Sequence, residues 1–468
     1  MGSDTSIRDQ IVSKLSDDDA DVRGSAVSAL SVLVSSDTSI RDQIVSKLSD
    51  EVWYVRGSAV SALSVLVSSD TSIRDQIVSK LSDDYWDIRS SAVSALSVLV
   101  SSDTSIRDQI VSKLSDEAGS VRRLAVSALS VLVSSDTSVR DQIVSKLSDD
   151  VWSVRRSAVS ALSVLVSSDT SVRDQIVSKL SDNDDDVRRS AVSALSGLVS
   201  SDTSVRDQIV SKLSDEAGSV RSSAVNVLSG LVGSDASVRD QIVSKLSDDV
   251  WQVRKQAVEA LAELISRYET LRDTLLPWLG TVAEHGENEL AEATRRLLSH
   301  KFAPLLVKEP ILYAKVIDML KSPAWPMRHG AAMTLIAMPD GPPSESLPML
   351  RGLIDDMRGE ESWPERLQVA EILINDRDHE LSQRAIAVAL EALDYATQPW
   401  YYLPISGAAV RRQAAQILGQ LEPLYRNDTI FARLVRMMRE DEDANVRDAA
   451  YGALLRLAAA PEETPSIP

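Results

Sequence analysis

The chain has 468 residues, 44% of them hydrophobic and 4% aromatic, with no cysteine and a formal charge of −19. Such a composition supports a folded chain, and the lack of cysteine excludes disulfides, thiol catalysis and thiolate metal sites. The acidic balance speaks against nonspecific nucleic-acid binding, which needs a basic face, and no apolar run approaches the ~18 residues of a membrane span.

Residues Asp4 to Ser36 read DTSIRDQIVSKLSDDDADVRGSAVSALSVLVSS, and the unit restarts at Asp37, Asp70, Asp103, Asp136, Asp169, Asp202 and Asp235. A period of 33 residues belongs to a solenoid or array, not to a single globular core. In each copy Ile7, Ile11, Val12 and Leu15 have helical spacing. Asp4 and Ser6 are suited to cap that helix. Asp17 and Asp18 break the pattern and can cap a second helix with Val22, Ala26, Ala29, Leu30 and Leu33 on its apolar side. Each unit is a helical hairpin that buries its stripe only by stacking on its neighbours. Its many Val and Ser residues are mediocre helix formers, so packing must hold the helices.

The second helix carries Val22, Arg23, Ala26, Val27, Ala29, Leu30 and Leu33, a string repeated in register to Val253, Arg254, Ala257, Val258, Ala260, Leu261 and Leu264. It resembles HEAT repeats. The resemblance implies an all-α, right-handed α-α superhelix, a HEAT-like solenoid of about 13 helical hairpins, with the second helices on the concave side. It also implies that the repeated arginine (Arg23, Arg56, Arg89 and onward) pairs with turn aspartates as a structural ladder.

Eight near-identical repeats fill 4–265, and degenerate repeats continue the solenoid over 266–460. Leu271, Arg272 and Asp273 keep the phase of a ninth first helix. Met327-Arg328, Glu365-Arg366, Val410-Arg411 and Val446-Arg447 then echo the second-helix string. Segments 322–323, 341–343 and 398–404 contain prolines that mark turns, and 461–468 reads as a disordered tail. Met1-Gly2-Ser3 reads as an appended leader, so an upstream domain is expected in the parent chain.

Copies within one chain can be compared directly. The segment RDQIVSKLSD (Arg8 to Asp17) is constant in all eight, and variation gathers at positions 19, 20, 21 and 24 of the unit. Position 20, for instance, holds Ala20, Trp53, Trp86, Gly119, Trp152, Asp185, Gly218 and Trp251. No buried pocket accepts Trp, Gly and Asp alike, so these positions are expected to be exposed. Residues 20, 24, 28 and 31 share a helix face directed away from Val22, Ala26 and Leu30, with serine at 28 and 31 as a low polar floor.

The candidate binding residues are therefore Val52, Trp53, Tyr54, Tyr85, Trp86, Asp87, Arg123, Trp152, Arg156, Arg189, Trp251 and Lys255, with Trp325 and Trp363 from similar W-x-x-R strings. Trp and Arg are the types enriched in binding hot spots. Trp152 with Arg156, and Trp251 with Lys255, stand four apart as cation–π candidates, while Asp185 with Arg189 suits a helix salt pair. The competing structural reading has the Trp side chains covering the hairpin edge.

A near-uniform scaffold with a few variable positions also resembles the repeat domains of fungal NOD-like (STAND) receptors. That resemblance implies a ligand-sensing role in innate immunity and a cytoplasmic setting. No G-x-x-x-x-G-K-[ST] occurs, so nucleotide binding is unsupported. His285, His300, His329 and His379 form no metal motif. The acidic run Asp182 to Asp186 lacks the central Gly and distal Glu of a calcium loop. The expected function is non-enzymatic recognition of a protein or peptide, with no cofactor, catalytic residue, metal or membrane involved. Passive scaffolding is the alternative, or nucleic-acid binding through a stripe of Arg123, Arg156 and Arg189.

Overall fold

The computed structural model describes residues 2–280, 288–355, 363–375, 379–394 and 407–459. Twenty-six α-helices lie among the described residues and pair as thirteen hairpins, with no strand among them. This is the expected all-α solenoid. The chain divides into two compact units, Met1–Gln256 and Ala257–Pro468.

In the first unit each repeat has a short first helix, such as Thr38–Ser46, and a longer second helix, such as Trp53–Leu63. Both end in a 3-10 turn, Lys47–Ser49 and Ser64–Leu66 here. That turn tightens the last residues and satisfies otherwise orphan carbonyls. Asp37 and its equivalents cap the first helix, with the Asp37 carboxylate accepting from the Ile40 amide at 3.2 Å. The opening copy departs from this, its helix running Gly2–Ser13 and so starting before Asp4. The second helix is capped by position 19 and not by Asp17 or Asp18. Asp19 and Asp184 accept the amides of Asp21 and Asp186 at 2.8 and 3.1 Å, whereas Val52, Tyr85, Ala118 and Val151 bring no capping side chain.

Second helices of successive repeats pack side by side. Their small Ala and Val residues allow it: Ala59, Val60, Ala92, Val93, Ala125 and Val126 are fully buried. Ile44, Ile77 and Ile110 close the core from the first helices.

The arginine ladder is present and reaches across repeats. Arg122 donates Nε and Nη2 to Asp149 of the next repeat at 2.8 and 2.7 Å, and Nη1 to the carbonyls of Asp116 and Glu117 in its own turn. The same fork recurs at Arg23–Asp50, Arg56–Asp83, Arg89–Asp116, Arg155–Asp182, Arg188–Asp215 and Arg221–Asp248. A second ladder was not read from the sequence. Arg41, inside the constant segment, reaches the next first-helix cap, Asp70, at 3.3 Å, and Arg107 and Arg140 do likewise to Asp136 and Asp169.

The second unit keeps the plan with longer connections. Helices Trp325–Ile336, Trp363–Leu373, Gly407–Leu418 and Ala444–Ala458 carry the four echoes of the string. Ala331, Ala370, Ala414 and Ala450 are fully buried, and Arg411 forks onto Asp441 at 2.7 and 3.0 Å. Arg328 and Arg447 donate to turn carbonyls just as Arg122 does. Segments 398–404 and 461–468 lie outside the described residues.

Candidate recognition surface

Packing second helix on second helix brings position 20 of one repeat against position 19 of the next. Trp53 stacks on Tyr85, with ring centroids 6.2 Å apart and planes 16° apart, and meets Tyr54 edge-on at 5.6 Å. Gly119 precedes Val151: a Cβ on Gly119 would stand 2.8 Å from Val151 Cγ2, and one on Gly218 would stand 2.7 Å from Val250 Cγ2. Valine at position 19 thus follows a small residue at position 20 of the preceding repeat, glycine in these two cases and Ala20 before Val52. A second pairing joins position 24 to position 21 of the next repeat, where a Cβ on Gly24 would lie 3.6 Å from the Tyr54 ring. The variable residues are therefore mutually fitted.

Position 24 also lies deeper than expected. Gly24 and Ser90 are buried, because the adjacent second helix closes over that side, while Arg123 and Arg189 are half-buried.

Between the second and third repeats the surface opens into a groove of about 660 Å³. Trp53 and Tyr54 form one wall, Gly57 and Ser90 the floor, and Asp87 and Leu124 the far side. Val65 and Val98 edge it, two of a row of exposed valines that also includes Val32, Val131 and Val164, each 65–81% exposed. In copies six to eight that position holds Gly197, Gly230 and Glu263, so the apolar row ends after five repeats. Sequence comparison missed the valines because they are constant over those five copies. It missed Leu124 because that position departs from serine only there and at Gln256.

Of the candidate residues, the groove gathers Trp53, Tyr54 and Asp87. Val52 leads into the Trp53 helix, half-buried, its amide bonded to Asp50 at 3.0 Å. Tyr85 is 49% exposed with the Arg56 guanidinium 5.3 Å from its ring centroid, and Trp86 and Trp152 are similarly exposed at 48% and 41%. Arg156 reaches Asp186 of the next repeat at 4.0 Å, not the Trp152 ring. Arg189 pairs with Asp186, not Asp185, whose carboxylate instead accepts from Ser219 at 2.8 Å. Two of the three arginines in the expected basic stripe are thereby paired. Arg123 makes no ion pair or hydrogen bond among the described residues.

Trp251 overturns the expectation of exposure. It is 5% exposed, with the Arg254 guanidinium 5.3 Å from its ring centroid. Lys255 beside it is half-buried. Trp325 and Trp363 open helices, but their side chains lie outside the described residues.

The acidic run is internally engaged: Asp182 binds Arg155, Asp184 caps a helix, and Asp185 and Asp186 are paired as above. Among the described residues no group of three His, Asp or Glu side chains is placed to hold a metal ion, and no helix is long and apolar enough to cross a membrane. His329 is buried, its pKa lowered to about 3 by burial and then by Arg295 and Arg296. His379 stacks on Tyr425 at 5.7 Å, His300 is exposed, and His285 lies outside the described residues.

Stacked hairpins joined by a buried arginine ladder define a HEAT-type α-solenoid, and comparison with known proteins agrees. The family model for the adaptin N terminal region matches residues 7–322, more than half of the chain. The chain belongs to that family. Among solved structures it is similar to yeast importin-beta (Kap95p), with a TM-score of 0.58 at 14% identity over 97% of this chain and 61% of that one. A Kap95:Nup1 complex gives 0.56 at 13% identity over 97% and 73%, and Kap121p bound to Pho4p gives 0.52 at 14% over 97% and 57%. No curated protein sequence matches the chain significantly.

Proposed function

We propose that the chain is a non-enzymatic recognition module that binds a protein or peptide on its second-helix face. The observation that carries this is the coincidence of the groove with the variable positions: Trp53, Tyr54 and Asp87 stand at positions whose residue changes from copy to copy, and they line the same cavity. Exposed aromatic walls around a polar floor have the composition of a binding hot spot. The Kap95:Nup1 complex and Kap121p bound to Pho4p are protein complexes of similarly folded chains and support the same reading. Charge favours it over nucleic acid, since pairing of Arg156 and Arg189 leaves one arginine of the stripe for phosphate.

A finer reading takes the module as the ligand-sensing repeat domain of a cytoplasmic NOD-like receptor. Its support is the pattern of near-identical copies with variation confined to a few positions. The test compares the chain with a version whose positions 19, 20, 21 and 24 all match the first copy. Proteins retained by the former and lost by the latter are expected in pull-downs. Equal capture by both refutes recognition, and capture unchanged by Trp53→Ala with Trp86→Ala assigns passive scaffolding.

A further inference from the structure

We infer that the groove between the second and third repeats takes an extended, acidic peptide segment: a large apolar side chain seats against Trp53, and a carboxylate about six residues further on meets Arg123, two repeats away. This rests on the recognition reading above and names its partner class.

Charge comes first. Arg123 stands one repeat beyond Ser90 at the same position of the unit, and it adjoins Leu124, which closes the groove. It is the stripe arginine that no carboxylate of the described chain neutralises, whereas Arg156 and Arg189 share Asp186. A half-buried, uncompensated guanidinium favours a carboxylate and takes it bidentately.

Backbone demand comes second. The Ser90 hydroxyl is buried on the groove floor with no hydrogen-bond partner. Ser61 and Ser94 line the same groove with exposed hydroxyls that make no hydrogen bond within the described chain. An extended chain needs partners for its amides and carbonyls, and serine hydroxyls supply them; a helix satisfies its own backbone and has no use for such a floor.

Spacing comes third. Packed helices lie roughly 8–10 Å apart, and an extended chain rises about 3.3 Å per residue. About three residues therefore carry the peptide across one repeat, and about six carry it across the two repeats from the apolar anchor at Trp53 and Tyr54 to Arg123. The exposed valines Val65 and Val98 border the path.

The experiment pans a random library of displayed linear peptides against the full chain. Selected peptides are expected to share an aromatic or large aliphatic residue followed about six positions later by Asp or Glu. Arg123→Glu should switch that second preference to Lys or Arg while keeping the apolar anchor. Leu124→Ser, which restores the residue of most copies, and Trp53→Ala should each weaken a selected peptide roughly tenfold or more. Circular dichroism of each variant confirms its fold.

Peptides without acidic enrichment, or an Arg123→Glu chain that selects as the parent does, overturn the inference. So do winners with helical apolar spacing, and self-association of the chain that these substitutions abolish. If the intact chain captures folded proteins that the homogenised chain loses, yet no linear peptide is enriched, the recognition reading stands and this inference falls.

Discussion

Arg122 binds the carbonyls of its own turn and the carboxylate of the next repeat, so one side chain fixes both a turn and the stacking of two hairpins. Both members of the pair are nearly buried, with side chains 10% and 5% exposed. Burial raises the Asp149 carboxyl, but hydrogen bonds from Arg122 and the Val151 amide outweigh it and hold the group below its usual range. A carboxylate depressed in the folded state contributes stability above its unfolded pKa of about 4 and loses it as pH falls through the folded value. Arg122→Ala should therefore cost about 3 kcal/mol at neutral pH, because it leaves a buried charge without its cation. The gap from the parent should narrow as acid protonates Asp149. Denaturant titrations at pH 7 and in steps below pH 4, followed by circular dichroism, measure both, and a gap independent of pH would refute the assignment.

At the scale of the helix, fitting between neighbours limits what the variable positions can hold. Gly119 opens its helix against Val151, and Gly218 opens its own against Val250. Tryptophan at position 20 occurs instead before Tyr85, Ala118 and Asp184. The variable set thus records two demands, partner chemistry and accommodation of the adjoining repeat. Gly119→Trp, the residue that position 20 carries before Tyr85, Ala118 and Asp184, should destabilise here by about 1–3 kcal/mol through the Val151 contact. Val151→Ala in the same chain should recover most of that loss, a coupling of roughly 1 kcal/mol between residues in different repeats. Thermal and chemical unfolding of the two single variants and the double variant test it, and additive effects would show that the two positions are independent.

At the scale of the whole molecule, what was legible in the sequence is what repeats with contrast. The hairpins and the phase of the second unit through Arg411 follow from residues whose neighbours vary around them, whereas the Arg23-type ladder followed from the resemblance to HEAT repeats. The Arg41–Asp70 ladder was hidden because its residues lie in segments that offer no contrast from copy to copy. Trp251 misled because a position exposed in earlier copies is buried in the eighth, where the Arg254 guanidinium lies over its ring. Uniformity has a further consequence. A repeat array is stabilised by each unit and its nearest-neighbour interfaces, so a whole unit can leave if every rung finds a substitute. Excision of residues 103–135 joins Ser102 to Asp136, returning Asp149 to Arg89 and Asp136 to Arg74 at the native separations of 27 and 29 residues. The one new junction sets Trp86 before Val151, a pairing that no intact copy contains. The shortened chain should keep its helicity per residue, with stability lowered mainly at that junction and restored by Val151→Ala. Excision of a segment of similar length that does not equal one period should unfold the first unit, because both arginine ladders then lose register together. Equal helicity loss for the two excisions, by circular dichroism, would show that the ladders do not set the register.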